Sequence, residues 1–319
     1  MPELPVVLLT NPIDPAGKLI LEPHARVVTA PDAKPDTLRE LVRDADGLIV
    51  RVKLPDDIVE HAPKLKGIVR HGTGLDFIPV AAATARRIPV ANVPGANSNA
   101  VAEFCFGAVF ELIRHIGAAD RLHRDKGWAA ARKLADTAWE LKGKTLGIVG
   151  FGSIGRLVAG IGANGFGMKV IATTRRPETL ADGVKAAALG ELFEQSDVIV
   201  LSCPLTDATR GLVGRDLLER AKPTALLVNI SRRAVVSDEA LAEALSTGRL
   251  GGAVIEVFAE QQLPADDPLF LLPNLLLTPH MAALTQESVR NMSVGAAEEM
   301  LRILKGERPV NFCNPEILS

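Results

Sequence analysis

Short runs of aliphatic, largely β-branched residues alternate with stretches of helical periodicity along the whole chain. The first series of runs falls at 6–10, 25–28, 47–50, 67–69 and 90–92. A second follows at 145–149, 169–173, 197–201, 225–229, 252–257 and 274–278. This alternation predicts an α/β protein, with parallel sheets covered by helices. Two series in one chain predict two doubly wound parallel-sheet domains. Between them Val101, Phe104, Cys105, Ala108, Val109, Leu112, Ile113 and Ile116 recur at helical spacing and give a wide apolar stripe. Asn99 is the expected N-cap of that helix, which reads as a connector buried on one face. A last helical stretch, about 285–305, comes after the second series has ended. If it packs back on the first domain, the division is 1–98 plus 286–319 against 99–285.

Length agrees with that division, since 319 residues are about twice a typical domain. The chain is 47% hydrophobic and 23% charged, ordinary values for a globular protein. Its net charge is −2 with Lys and Arg spread along the chain, so neither nucleic acid nor a membrane surface is an expected partner. No apolar run approaches the roughly 20 residues needed to cross a bilayer. The opening residues lack a basic n-region and a small-residue cleavage site, so a cytoplasmic protein is expected. Cys105, Cys203 and Cys313 are scattered without paired spacing, which supports neither a disulfide framework nor a metal site.

The run at 145–149 leads into Gly150-Phe-Gly152-Ser153-Ile154-Gly155, a GxGxxG turn, and then into a helix with Ile154, Leu157, Val158 and Ile161 on one face. Gly150 permits the tight turn, Gly152 lets backbone approach a pyrophosphate, and Gly155 lets helix and strand pack closely. The helix N-terminus then faces the anion with unpaired N–H groups. The bare motif is weak, but strand, turn and helix with further strands behind them predict a dinucleotide site. Sites for NAD usually close the second strand with an acid that accepts from the ribose 2′-OH. Here the strand ends Thr173-Thr174-Arg175-Arg176, with no acid. Two hydroxyls and two guanidinium groups suit a 2′-phosphate, which arginine matches in bidentate fashion. NADP(H) is therefore expected over NAD(H); the competing reading is a solvated loop.

Further motifs follow in order: 141–155, Pro204-Leu-Thr206, Asn229-Ile-Ser-Arg232, Val257-Phe258 and Thr278-Pro-His280, with Gly72-Thr-Gly74-Leu-Asp76 and 97–103 upstream. Together they cover nearly the whole chain and resemble the D-isomer-specific 2-hydroxyacid dehydrogenases, the group holding glyoxylate/hydroxypyruvate reductases and phosphoglycerate dehydrogenases. The resemblance implies a flavodoxin-like substrate domain built from both termini and a central Rossmann cofactor domain. It also implies a cleft between them and a homodimer formed through the cofactor domains. The implied reaction is hydride transfer between NAD(P)H and a small 2-oxo or 2-hydroxy acid. Cofactor contacts beyond the glycines are implied at Ser153, Ile154, Cys203, Pro204, Thr209, Ile230 and Glu256.

Reducing a 2-oxo acid needs a cation for its carboxylate and carbonyl, a proton donor and a hydride source. Arg232 follows the run at 225–229, at the carboxyl end where open α/β sheets bind ligands, and its fork can hold carboxylate and keto oxygen together. By resemblance it is the family's catalytic arginine. Arg233 stands where the family has glycine, which leaves open which guanidinium meets the substrate. His280 follows 274–278 in the same way, and histidine suits proton donation near neutral pH. The Thr-Pro-His triplet matches the family's acid/base residue. Backbone N–H groups of Thr73 and Gly74 are candidates for the substrate carboxylate, and Asn97 matches an asparagine common in the family. Arg51 and Lys53 add positive charge for a larger or phosphorylated substrate, or are surface charges. Of the other histidines, only His71 adjoins the glycine loop.

The family places a glutamate beside the histidine, five residues beyond an aspartate. Counted without gaps, Glu256 takes the aspartate position, where it can still hold the nicotinamide amide, and Gln261 takes the glutamate position. A one-residue slip would give that role to Glu260. A carboxylate partner stabilises an imidazolium, and a neutral amide does so far less. With Gln261 there, reductive activity is expected to fall off earlier on the alkaline side. A Gln–His pair with Asn97 also resembles the formate dehydrogenases of the same superfamily, although the chain is short and lacks their extended N-terminal segment. The other alternative is a non-enzymatic nicotinamide-sensing protein, akin to the family's transcriptional corepressors. Against it, the chain keeps both Arg232 and His280.

Overall fold

The computed structural model describes residues 3–257 and 266–318. The chain forms two compact units, Met1–Asn97 with Leu284–Ser319 (unit 1) and Ser98–Ala283 (unit 2). Unit 1 holds β1 Val6–Leu9, β2 Arg26–Thr29, β3 Gly47–Val50, β4 Gly67–Arg70 and β5 Val90–Ala91. They form one parallel sheet in the order β2-β1-β3-β4-β5. That is the flavodoxin-like order, in which ligands bind where the connections diverge, between β1 and β3.

Unit 2 holds β6 Thr145–Val149, β7 Lys169–Thr173, β8 Lys185–Ala186, β9 Val198–Leu201, β10 Leu226–Asn229, β11 Gly252–Ile255 and β12 Leu275–Leu277. They too run parallel, in the order β12-β11-β10-β9-β6-β7-β8. Counted from β6, this is the dinucleotide-binding order with one strand added at the far edge, and its switch point lies between β6 and β9. The class is thus α/β with two doubly wound parallel sheets, as the alternation predicts. Strands β3, β9, β10 and β11 are buried at every position, which is why they read as unbroken apolar runs. The edge strand β8 has two exposed residues and leaves no such run.

Successive residues of a strand face opposite sides of a sheet, and the cores divide accordingly. In unit 1, Leu8, Leu48 and Ile68 pack with Leu38, Val42 and Ile58 on one side. Val7, Ile49 and Val69 pack on the other with Leu21, Ala296, Met300 and Ile303. The last four-named side chains come mostly from the final helix, Gln286–Leu304, whose N-cap Thr285 accepts from the Ser288 N–H at 3.1 Å. That helix can lie close because β3 and β4 begin with Gly47 and Gly67, directly under Met300 and Ile303.

Three local expectations are corrected. The connector helix runs Ser98–Arg114, so Asn99 lies inside its first turn rather than capping it, and its amide donates to Glu103 Oε1 at 2.6 Å. The helix stops because His115 turns left-handed (φ 52°), so Ile116 belongs to a separate helix and is 58% exposed. Leu157 lies on the outer side of the helix Ser153–Gly160 while Val158 is buried. The helices Ile116–Lys126 and Trp128–Arg132 bury no residue fully, which explains why the apolar pattern did not announce them. Among the described residues no helix is long and apolar enough to cross a membrane.

Candidate active site

In unit 2 the candidate residues stand at the carboxyl ends of the strands. After β6, Gly150 adopts φ 92°, and a Cβ there would meet the Cys203 backbone at 2.7 Å. Only glycine fits both the angle and the space. A Cβ at Gly155 would run into the Gly150 carbonyl, whereas at Gly152 it would meet nothing within 4 Å. The open backbone at Gly152, at the start of the helix Ser153–Gly160, is the cradle a dinucleotide pyrophosphate requires, so these residues fit that group. Ser202 Oγ donates to the Gly150 carbonyl at 2.7 Å, and the hydroxyls of Ser98 and Ser153 lie 3.0 Å apart. Neither Ser98 nor Ser202 was singled out by the sequence.

Next to this loop β7 ends at Thr173, whose hydroxyl donates to the Ala187 carbonyl at 2.8 Å. Thr174 Oγ1 accepts from the Arg176 N–H at 3.3 Å, and Thr179 Oγ1 donates to the Arg176 carbonyl at 2.7 Å. Hydroxyls therefore shape the loop. Arg175 and Arg176 are exposed, and among the described residues neither forms an ion pair. After β9, Cys203 is buried, which pushes its thiol up. Thr209 Oγ1 donates to the Pro204 carbonyl at 2.7 Å and fixes the turn that follows.

The chemistry-bearing residues close three neighbouring strands. Asn229 ends β10 and organises the turn after Ile230: its Oδ1 accepts from the N–H and hydroxyl of Ser231, and its Nδ2 donates to the Arg232 carbonyl at 2.9 Å. Arg232 Nη1 donates to the Ser231 carbonyl at 2.7 Å. Arg233 Nε donates to both oxygens of Asp238 at 2.9 and 2.8 Å, with Asp267 3.8 Å from its Nη2. Asp238 thus engages Arg233, while Arg232 turns back on the carbonyl of Ser231.

Glu256 follows β11 and is 2% exposed. Burial raises its carboxyl to about 7, against the stabilising N–H groups of Ala282 and Met281 and the charge of Arg232. His280 follows β12 with φ 55°. Its N–H donates to the carbonyls of Glu256 at 3.0 Å and Thr278 at 2.9 Å. Left-handed backbone outside glycine is uncommon and gathers at functional sites. Gln261 and the alternative Glu260 lie outside the described residues.

In unit 1 the named residues gather after β3 and β4. Arg51 donates to the Pro12 carbonyl. Lys53 is exposed. Gly72 turns at φ 131°, Thr73 is exposed and Gly74 half-buried. The sequence passed over Arg70, which braces this loop by donating to the carbonyls of Gly74, Val50 and His71 at 3.1, 2.7 and 2.9 Å. His71 is buried with Nε2 2.8 Å from Ser293 Oγ. Burial and the charges of Arg51 and Arg70 lower it to about 3. Asn97 is half-buried at the end of this unit's first segment.

The family model and the relatives named below point to one family. Residues 106–282 match the family model described as D-isomer specific 2-hydroxyacid dehydrogenase, NAD binding domain. The chain is 36% identical to the glyoxylate reductase of Korarchaeum cryptofilum over 98% of its own length and 97% of that protein. It is 37% identical to the D-3-phosphoglycerate dehydrogenase of Methanocaldococcus jannaschii over 97% of its length and 59% of that protein. The solved NADPH-dependent glyoxylate/hydroxypyruvate reductase of Sinorhizobium meliloti, in complex with NADP and malonate, superposes with a TM-score of 0.84 at 27% identity, covering 97% of this chain and 96% of the other.

Proposed function

Because the chain belongs to the D-isomer specific 2-hydroxyacid dehydrogenase family, we propose that it reduces small 2-oxo acids of the glyoxylate and hydroxypyruvate type as an NAD(P)-dependent oxidoreductase. One observation carries the reading. Arg232, Glu256 and His280 close β10, β11 and β12, which are adjacent in one sheet, so a cation and an imidazole stand at the same edge as the glycine turn.

The nicotinamide of a bound dinucleotide supplies the hydride for C2. Gly150, Gly152, Ser153, Ile154 and Gly155 hold its pyrophosphate, and Cys203, Pro204, Thr209 and Ile230 lie along the same strand ends. Arg232 pairs with the substrate carboxylate and polarises the keto oxygen, where preorganised positive charge is worth most as the alkoxide forms. His280 delivers the proton to that oxygen. Within unit 1, Arg51, Lys53, Thr73, Gly74 and Asn97 are assigned to substrate recognition, the N–H groups of the glycine loop serving a carboxylate. The test is a panel of glyoxylate, hydroxypyruvate, phosphohydroxypyruvate, other small 2-oxo acids and formate with NADPH and NADH. Turnover of glyoxylate or hydroxypyruvate is expected. Tight NADPH binding with no turnover of any of them would favour a cofactor-sensing protein instead.

For the cofactor we assign NADP(H), supported by the missing acid at the end of β7 and by the exposed Arg175 and Arg176. A kcat/KM at least tenfold better with NADH would end that assignment. Gln261 is assigned as the neutral partner of His280. Gln261→Glu should then move the alkaline limb of the reductive kcat profile upward, and an unmoved limb removes Gln261 from the role. A cytoplasmic homodimer joined through unit 2 completes the reading, supported by the exposed Ile116 and Trp128 at 58% and 68%. Sedimentation velocity should show twice the chain mass.

A further inference from the structure

Glu256 is attached to the segment that carries the imidazole through that segment's main chain. Its carbonyl accepts from the His280 N–H at 3.0 Å, and its Oε1 accepts from the Ala282 N–H at 2.8 Å. The N–H of Met281 also stabilises the carboxylate. Three successive N–H groups thus converge on one residue. A left-handed residue followed by N–H groups turned to one side forms a concavity that suits an anion, and His280 at φ 55° supplies that conformation. The carboxylate is directed into the protein: Glu256 is 2% exposed, and its charge adds to the burial that pushes the Cys105 thiol, on the connector helix, up to about 12.

We propose that Glu256 is a positioning residue for the reduction, clasping the 280–282 turn so that the His280 imidazole is presented in one orientation. The proposal rests on His280 as the proton donor. It gives the carboxylate at this position a task in place of holding the nicotinamide amide, the contact that the resemblance implies. A left-handed histidine is intrinsically disfavoured, and the clasp offsets that strain. Without it the backbone relaxes toward ordinary angles and carries the ring away, which lowers the rate of proton delivery more than the binding of either ligand.

The test compares the full chain with Glu256→Gln, which keeps one side-chain acceptor oxygen, and Glu256→Ala, which keeps only the main-chain carbonyl that accepts from the His280 N–H. Three quantities are read: kcat at saturating NADPH and 2-oxo acid, the NADPH Kd by fluorescence, and the His280 ring resonance in protein labelled at histidine Cε1, assigned by its loss in His280→Gln. The expected result is a graded fall in kcat, about tenfold for Gln and thirtyfold or more for Ala. The NADPH Kd should stay within threefold, and the His280 resonance should shift or broaden in both variants. A tenfold weaker Kd with kcat within threefold would overturn the clasp in favour of a direct cofactor contact. An unmoved His280 resonance would overturn it as well. Should Glu256→Ala not fold, Glu256→Gln decides alone. If the wild-type chain turns over no 2-oxo acid, the functional reading fails, while the resonance still decides whether Glu256 orients His280.

Discussion

The two units solve the same problem with opposite charges. Each is a parallel sheet that turns on a glycine at positive φ, Gly72 after β4 and Gly150 after β6, and each buries an imidazole or a carboxyl at that end of its sheet. In unit 1 it is His71, crowded by Arg51 and Arg70 and lowered to about 3. In unit 2 it is Glu256, raised to about 7 because burial outweighs Arg232 and the N–H groups around it. A histidine among cations stays neutral and serves as a fixed hydrogen-bonding group to Ser293. A buried carboxyl held near neutrality can carry charge when its surroundings supply donors. The contrast teaches that unit 1 is built as a rigid positive frame, whereas unit 2 keeps its ionisable groups within reach of chemistry.

The largest effect expected from that contrast separates arginines of the two units. Arg232→Ala should cost roughly a thousandfold in kcat/KM, about 4 kcal/mol of transition-state stabilisation, with little change in Tm. Arg70→Ala should do the reverse: three carbonyls lose a charged donor, so Tm falls first. Comparable kinetic losses in both variants would erase the distinction. Arg233→Ala belongs with Arg70, since its fork grips Asp238.

The pH dependence of stability is next in size and opposite in sign for the two units. His71 binds a proton near its ordinary 6.5 when unfolded but only near 3 when folded. Its contribution is complete above pH 6.5 and is lost as pH falls toward 3. Glu256 binds a proton near 4.5 when unfolded and up to about 7 when folded. Its contribution is complete below pH 4.5 and is lost as pH rises through about 7. Each window spans a few pKa units, on the order of 3–5 kcal/mol. Thermal unfolding of the full chain across pH 4–8 should show His71→Gln flattening the loss of stability on the acid side and Glu256→Gln removing the fall in stability as pH goes from 4.5 to 7. A Glu256→Gln chain that keeps the wild-type slope would mean another group titrates there.

How much of this was legible in the sequence depends on what each feature rests on. Strands with buried aliphatic centres stand out from their flanks, so β3, β6 and β7 could be delimited from the chain alone. The glycines of the phosphate turn were legible because Gly150 and Gly155 answer local steric needs and Gly152 leaves room for a ligand. Periodicity could not tell that Ile116 and Leu157 face outward, because an apolar stripe does not say what covers it. Nor could it tell the settings of Arg232 and Arg233 apart, since a turn at Arg233–Val235 brings Asp238 within reach of the second. The grip of Glu256 on residues 280 and 282 reaches main-chain N–H groups that follow the neighbouring strand, and the side chains of those residues carry no mark of it.

The two glycines offer a smaller contrast. Gly150→Ala places a Cβ 2.7 Å from the Cys203 backbone, which cannot yield, so about 3 kcal/mol of stability and most dinucleotide affinity should be lost. At Gly72 the nearest atom is Met292 Sδ at 3.6 Å, on a flexible side chain. Gly72→Ala should therefore cost only the backbone strain, about 1–2 kcal/mol. Equal losses measured by urea unfolding would show that angle, not space, governs both turns.

The smallest effect tests a part of unit 2 with no counterpart in unit 1, where Arg51 and Arg70 are tied to main-chain carbonyls. Arg175 and Arg176 are exposed, and the loop around them is shaped by Thr174 and Thr179 rather than by the guanidinium groups. Replacing both with alanine should leave the loop as it is and remove only the charge offered to a 2′-phosphate. At an exposed site that charge is screened, so the loss should be about tenfold in the KM for NADPH, with the KM for NADH unchanged. Raising the salt from 20 to 500 mM (assay conditions) should shrink the difference between wild type and variant, since the interaction is open to counter-ions. A double variant whose NADPH and NADH constants move together would place the phosphate elsewhere and return Arg175 and Arg176 to the solvated surface.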